Sequence, residues 1–348
     1  MMNQEMTNLE VEYFFQKGLH LNRTEQYAAA VASYEKALEL SPDYAEIWYS
    51  HGNALYHLGR YEQALASYER ALELNPGFHE AWNNRGNALD DLGRYSEALA
   101  SYDKAIFFKP DYHWAWNNRG VALKNLGHFE EAIASYDRAI EFKPDYYWAW
   151  YNKGLAYKNL GRLEKTLVCY DKALEIKPDF YEVWNNRGNI LYNLGFYEDA
   201  VISYEKAIQW KPDYYWAWYN RGIALINAGQ YGKGIVSLKK ALELQPKNPD
   251  AWYFRGVGLE KLGCHHSAIA CYDKALELQP DKHKAWYNKA CCYADTGNVD
   301  MAIENLQKAL ELNPNQYQKI VKISPEFDTI REDARFQAFI QQKITEGE

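Results

Sequence analysis

The chain of 348 residues has no apolar run near the 18 residues that a membrane span requires, so no membrane partner is expected. Its opening, MMNQEMTNLE, lacks the basic n-region and apolar h-region of a secretory signal, and a cytoplasmic location is the expectation that follows. Cysteine is scarce: five residues, irregularly spaced, do not make a disulfide framework. Cys264, His265, His266 and Cys271 fit no standard zinc spacing, so no metal is expected. Cationic residues are the minority, 39 Lys and Arg against 47 Asp and Glu, for a net charge of −8 and a pI near 5.7. A nucleic-acid binder carries a basic stripe; neither DNA nor RNA is an expected partner. HExxH, GxxxxGKS/T and GxSxG are all missing, and with them the spacings that set metal ligands, a phosphate cradle or an activated serine. No enzymatic activity and no cofactor are expected.

Proline is also rare, and its placement is orderly. Nine of the 11 prolines (Pro42, Pro76, Pro110, Pro144, Pro178, Pro212, Pro246, Pro280 and Pro314) stand 34 residues apart. Trp48, Trp82, Trp116, Trp150, Trp184, Trp218, Trp252 and Trp286 keep the same spacing. A fixed period of this length marks a repeat architecture. Inside one period, at 147–180, Trp150, Gly154 and Tyr157 share one helical face, and Leu167, Tyr170 and Leu174 share another. Gly161 stands where a helix C-terminal cap is needed, and Pro178 stops the second helix. Each period is therefore expected to be a hairpin of two short helices. Gly86, Gly120, Gly154, Gly188, Gly222 and Gly256 fall in mid-helix, where Gly costs about 1 kcal/mol relative to Ala. A bulky side chain pressing on the backbone would account for them. Ala37, Ala71, Ala105, Ala139 and their counterparts at the same spacing imply equally close contact on the second helix. The periodic Trp and Tyr are expected to fill the space between, so that Trp150→Ala costs roughly 3–5 kcal/mol.

Trp, Gly, Tyr or Leu, Ala, Tyr, Ala and Pro at these offsets resemble the tetratricopeptide repeat (TPR). Pentatricopeptide repeats are a residue longer per unit. In the family's phase nine repeats start at 11, 45, 79, 113, 147, 181, 215, 249 and 283 and span 306 of the 348 residues. The resemblance implies an all-α, right-handed superhelical α-solenoid of helix-turn-helix hairpins. Residues 1–10 are expected to be a flexible N-terminus, and 317–348 to be capping helices over the last repeat. The first repeat has Phe14 and Glu25 where others have Trp and Gly, as an end repeat can. The repeat at 215–248 departs most, with Gly232, Gly234, Leu238 and Lys239, and local softness is expected there.

In the family, the first helix of each repeat lines a concave groove, and three columns on that helix stand out here. Asn84, Asn118, Asn152, Asn186 and Asn220 recur at one position; Asn125, Asn159 and Asn193 recur two turns later. An Asn amide offers two donors and an acceptor and can pair with both backbone groups of an extended peptide. This is similar to the asparagine ladder of O-GlcNAc transferases; the bland alternative is that these amides satisfy neighbouring backbone. Trp114, Trp148 and Trp216 are extra to the core pattern and stand where other repeats carry Glu46, Glu80, Glu182 and Asp250. They are expected to be exposed and to bind, since Trp is enriched at hot spots; the alternative is stiffening by stacking on Tyr112, Tyr146 and Tyr214. Lys124 and Lys158 share a groove position, with Asp90 and Asp91 towards the N-terminal end. The carboxylate-clamp pattern of chaperone-binding members is not matched, because Tyr49, Asn83, Asn117 and Tyr151 hold its first position.

A separate basic column, Arg85, Arg119, Lys153, Arg187, Arg221, Arg255 and Lys289, is expected to pair with acids 18 residues later, such as Asp103 and Asp137, bridging the two helices of one repeat. Arg221 would then meet Lys239 instead. The function expected from all this is a non-catalytic scaffold that holds an extended protein segment in the groove. The alternatives are assembly or self-association through the convex face, near the out-of-pattern Phe107, and a regulatory or targeting subunit of a separately encoded enzyme.

Overall fold

A computed structural model describes residues 2–345. Two compact units divide the chain after Pro178. The first holds five helical hairpins: α1 (Met2–Arg23) with α2 (Tyr27–Leu40), α3 (Ala45–His57) with α4 (Tyr61–Leu74), α5 (His79–Asp91) with α6 (Tyr95–Phe108), α7 (His113–Asn125) with α8 (Phe129–Phe142), and α9 (Tyr147–Asn159) with α10 (Leu163–Ile176). The second holds α11 (Tyr181–Asn193) with α12 (Tyr197–Trp210), α13 (Tyr215–Asn227) with α14 (Tyr231–Leu244), α15 (Pro249–Lys261) with α16 (His265–Leu278), and α17 (His283–Asp295) with α18 (Val299–Leu312). It closes with α19 (Pro314–Ile323), a 3-10 turn (Pro325–Ile330) and α20 (Ala334–Thr345). The architecture is an α-solenoid of consecutive hairpins, with no strand among the described residues.

The mid-helix glycines sit under aromatic rings. A Cβ built on Gly86 or Gly120 would lie 2.5 Å from Cε1 of Tyr102 or Tyr136, and these tyrosines are buried at 2% and 0% exposure. Small residues on the second helix, Ala98 and Ala105 for example, are fully buried. The periodic Trp closes the turn between hairpins, its indole N–H donating to the carbonyl of the periodic proline: Trp82 Nε1 to Pro76 O at 2.9 Å, Trp150 Nε1 to Pro144 O at 3.0 Å. In the irregular hairpin, Leu238 replaces the ring and is fully buried. Gly234 lets α14 approach α13, since a Cβ there would meet Gly222 O at 2.9 Å.

Gly161 adopts φ +70°, as the helix cap requires. Its counterpart in the first hairpin is Glu25, at φ 59°. A side chain in the left-handed region costs about 1 kcal/mol that glycine does not. Glu25→Gly is therefore expected to stabilise the first hairpin by about 1 kcal/mol. Slower amide exchange in α1 and α2 is the readout; unchanged or faster exchange would refute it.

The N-terminal stretch expected to be flexible is helical from Met2 onward, as part of α1. At the other end, Tyr317 of α19 stacks on Tyr287 at 4.8 Å and meets His283 Nδ1 at 2.8 Å. Phe327, Ile330, Phe336 and Phe339 bury themselves on the last hairpin. Residues 346–348 of the expected cap, like Met1, lie outside the described residues. No helix among the described residues is long and apolar enough to cross a membrane.

Candidate functional site

Within each unit the first helices of successive hairpins touch one another: α1, α3, α5, α7 and α9 in the first, α11, α13, α15 and α17 in the second. The expected binding columns fall along these two rows.

The first asparagine column joins neighbouring hairpins. Asn84 Nδ2 donates to Tyr49 Oη at 3.1 Å and to Asn53 Oδ1 at 2.9 Å. Asn118 Nδ2 donates to Asn83 Oδ1 at 3.1 Å and Asn87 Oδ1 at 3.0 Å, and Asn220 Nδ2 to Asn185 Oδ1 and Asn189 Oδ1 at 3.0 and 3.1 Å. The acceptor oxygens of Asn84 and Asn118 are taken as well, by Asn83 and Asn117 at 3.1 Å. An amide with both donors and its acceptor used holds helices together; the same Asn53, Asn87 and Asn189 oxygens also accept the buried hydroxyls of Tyr68, Tyr102 and Tyr204.

The ladder changes at α7 and α9. Val121 and Leu155 stand where Asn53, Asn87 and Asn189 stand elsewhere. Asn152 consequently bonds only Asn117 Oδ1, at 3.0 Å, among the described contacts. The hydroxyls of Tyr136 and Tyr170, both 0% exposed, have no hydrogen-bond partner among the described residues. The sequence signal for this break is the Asn column turning aliphatic at Val121 and Leu155. Asn186 is half-buried in α11.

The second asparagine column is less uniform. Asn159 Nδ2 donates to the Leu155 carbonyl at 2.8 Å, within its own helix. Asn125 and Asn193 are exposed. Burial, with the Asp91 charge beside it, pushes the Asp90 carboxyl up from the ordinary range. Asp91 itself accepts from Tyr56 Oη at 2.5 Å. Lys124 is half-buried; burial lowers its pKa and the Asp90 charge offsets part of that. Lys158, one hairpin later, is exposed.

Trp114, Trp148 and Trp216 are 46%, 40% and 48% exposed, far above the core tyrosines. Each leans on aromatic neighbours: Trp114 on Tyr112 at 5.5 Å, Trp148 on Tyr151 at 6.1 Å, Trp216 on Tyr219 at 6.1 Å. These contacts are edge-on, at interplanar angles of 72°, 63° and 79°, so exposure coexists with aromatic contact. Among the described contacts, Trp148 and Trp216 make theirs with Tyr151 and Tyr219 rather than with the expected Tyr146 and Tyr214. The first unit's row carries Trp114 and Lys124 on α7 and Trp148, Asn152 and Lys158 on α9.

The basic column corrects the expected pairing. Its partner is the acid 16 residues earlier, on the second helix of the preceding hairpin: Arg85 with Glu69 at 2.9 Å, Arg119 with Asp103 at 2.7 Å, Lys153 with Asp137 at 2.5 Å, Arg221 with Glu205 at 2.6 Å, Lys289 with Asp273 at 2.7 Å. The arginines also donate to a hydroxyl on their own second helix, as Arg85 does to Ser101 at 2.7 Å. These pairs staple hairpin to hairpin. Arg221 has its acid after all, and the expectation that it meets Lys239 is wrong.

His51 takes the staple position in the second hairpin. Its Nδ1 meets Ser67 Oγ at 3.0 Å, and its Nε2 lies 3.9 Å from Glu35 Oε1 without a hydrogen bond. Burial lowers its pKa to about 4. The unfolded chain then takes up the proton more readily, so stability is lost as pH falls from 6.5 towards 4 and is intact above that window. The expected loss attributable to His51 is roughly 1–3 kcal/mol. Denaturation midpoints across that range should fall less in His51→Gln; equal slopes would refute the assignment.

Cys264 is exposed at the start of α16 while Cys271 is buried within it, and no group of three or more metal-ligating side chains gathers among the described residues.

Family models described as the tetratricopeptide repeat match residues 147–180, 215–248, 249–282 and 283–316 singly, and 15–77, 49–113 and 169–201; one described as a TPR repeat matches 122–161 and 188–229. No curated protein matches the chain. A tetratricopeptide repeat protein from Parabacteroides merdae is 17% identical over 76% of this chain and 98% of its own, with a TM-score of 0.50. Pseudomonas aeruginosa pilF is 20% identical over 60% and 96%, also at 0.50. YrrB, a TPR protein with an unusual peptide-binding site, is 26% identical over 52% and 93%, at 0.48. These are likenesses of fold.

Proposed function

This chain belongs to the tetratricopeptide repeat family, a fold of protein-interaction scaffolds, and we propose that it holds an extended segment of another protein along α7 and α9. The observation that supports this reading is the interrupted ladder. Where the amides are fully used, at Asn84 and Asn118, the row has no spare hydrogen-bonding capacity. At α9, Asn152 keeps an unused donor, and the same pair of helices carries two half-exposed indoles and the amines of Lys124 and Lys158. A peptide needs donors for its carbonyls, flat surface for its side chains and a sign of charge to set its direction; this stretch offers all three. The lysines favour an acidic segment. Asn84, Asn118 and Asn220 act as supports of the row in this reading, with Trp114, Trp148, Lys124, Lys158 and Asn152 as the contacts. Asn125 and Asn159 join them if the segment runs further along this row, while Asn186, Asn193 and Trp216 belong to the separate row of the second unit.

The test is capture of partners from source-cell lysate by the wild type and by a folded Trp114→Ala, Trp148→Ala variant, with mass spectrometry. A partner held by the wild type should bind the variant about 30-fold more weakly, as removal of a hot-spot residue worth about 2 kcal/mol implies. A photo-cross-linker at position 158 should mark the same partner. If capture is unchanged and the cross-linker stays silent, α7 and α9 are not the site.

A further inference from the structure

The staple column contains one broken member. Arg255 in α15 should find an acid 16 residues earlier on α14 and a hydroxyl 16 residues later on α16, as Arg221 finds Glu205 at 2.6 Å and Ser237 at 2.6 Å. Those positions hold Lys239 and Cys271. Both partners are missing, and the first is replaced by a second cation. Arg255 Nε is buried and without a hydrogen-bond partner among the described residues. Its guanidinium rests over the Trp252 ring at 5.5 Å. Lys239 is exposed and makes no ion pair among the described residues. The nearest acid along α14, Glu243, is engaged by Lys240 at 2.9 Å.

A buried guanidinium N–H without an acceptor is costly, and two like charges at a place built for an ion pair repel. An incoming carboxylate would relieve both at once. The surroundings say how it arrives. Val236, one turn before Lys239, is 64% exposed, and Ile202 at the same position of the preceding hairpin is 54% exposed. Many other second helices carry alanine there. Exposed aliphatic side chains beside a cation pair suit a polypeptide rather than an inorganic anion. We propose that the outer face of α14, with Arg255 of α15, binds an acidic segment of another protein. One carboxylate of that segment enters between Lys239 and Arg255 in place of the missing acid, and an aliphatic side chain lies on Val236. This site is on the second unit, is formed mainly by a second helix, and stands independently of α7 and α9.

The Arg255 Nε–H is itself the probe. In the full chain with 15N at arginine Nε, its resonance is identified by its loss in Arg255→Lys. Titration with acetyl-Leu-Glu-Glu-Leu-Glu-amide should move it saturably, and the Gln counterpart of that peptide should not. Lys239→Glu supplies the acid from within the chain; the resonance should start displaced, the peptide should no longer move it, and the thermal midpoint should be kept or raised. Lys239→Ala, which removes the cation without adding an acid, should weaken the response. The proposal is overturned if the wild-type resonance does not move, or moves as far in Lys239→Glu. It is also overturned if inorganic phosphate at matched ionic strength acts as well as the peptide, because the site would then read a free anion.

Discussion

Gly120→Ala is expected to destabilise the first unit, although alanine is the better helix former by about 1 kcal/mol. The new methyl would lie 2.5 Å from Cε1 and 2.8 Å from Cδ1 of Tyr136, a ring with no exposed surface in which to retreat. Overpacking of this kind costs about 1–3 kcal/mol and propensity returns part of it, so the net loss should be about 1–2 kcal/mol, and Gly120→Val should lose more. The same substitution at Gly232, where nothing lies within 4 Å of the built Cβ, should stabilise by up to about 1 kcal/mol. The last repeat contains the remedy: Ala290 takes the glycine's place there and Leu306 the tyrosine's, both in one core cluster. Gly120→Ala with Tyr136→Leu should therefore recover much of the loss, a favourable coupling between contacting residues. Tyr136 gives up no hydrogen bond in that change, since its hydroxyl has none among the described residues. Denaturant midpoints of the two single variants and the double variant decide it; additive effects would mean that ring and glycine do not meet as described.

The contact between Gly120 and Tyr136 was legible from sequence because both residues recur at a constant offset within one hairpin. The fold follows from such offsets: the glycines, alanines and prolines state where helices touch and stop, and the structure places them so. Contacts between hairpins were less legible. A basic residue such as Arg119 has an acid at both −16 and +18, because the acidic column repeats with the same period as the basic one. Periodicity alone cannot choose between Asp103 and Asp137; the packing of α7 on α6 chooses Asp103. That choice moves the defect from Arg221 to Arg255. The asparagine columns raised the same difficulty. Their donors reach back 31 and 35 residues, to Asn87 and Asn83 from Asn118, offsets that mean nothing until neighbouring first helices are known to lie side by side. The exposure of Trp114, Trp148 and Trp216 was legible from the acids that replace them in other repeats.

Trp82→Ala should produce a large loss of stability. Its indole packs against Ala71, Leu72 and Ala81 on one side and against Ala105, Tyr112 and Ala115 on the other, so it serves two hairpin interfaces at once. Its N–H holds the Pro76 carbonyl at 2.9 Å, and the Arg85 guanidinium lies over its ring at 5.9 Å. Truncating a core aromatic costs about 3–5 kcal/mol. Trp82→Phe keeps most of the apolar contact and gives up the hydrogen bond, for about 1 kcal/mol. Because stability in a stack of repeats is passed between nearest neighbours, the damage should be local. Amide exchange should quicken in α4, α5 and α6 and stay unchanged in α16 and α18 of the other unit. Exchange that quickened equally throughout would show that the chain unfolds as one cooperative body, and Trp82 would then report global stability rather than the interfaces it touches.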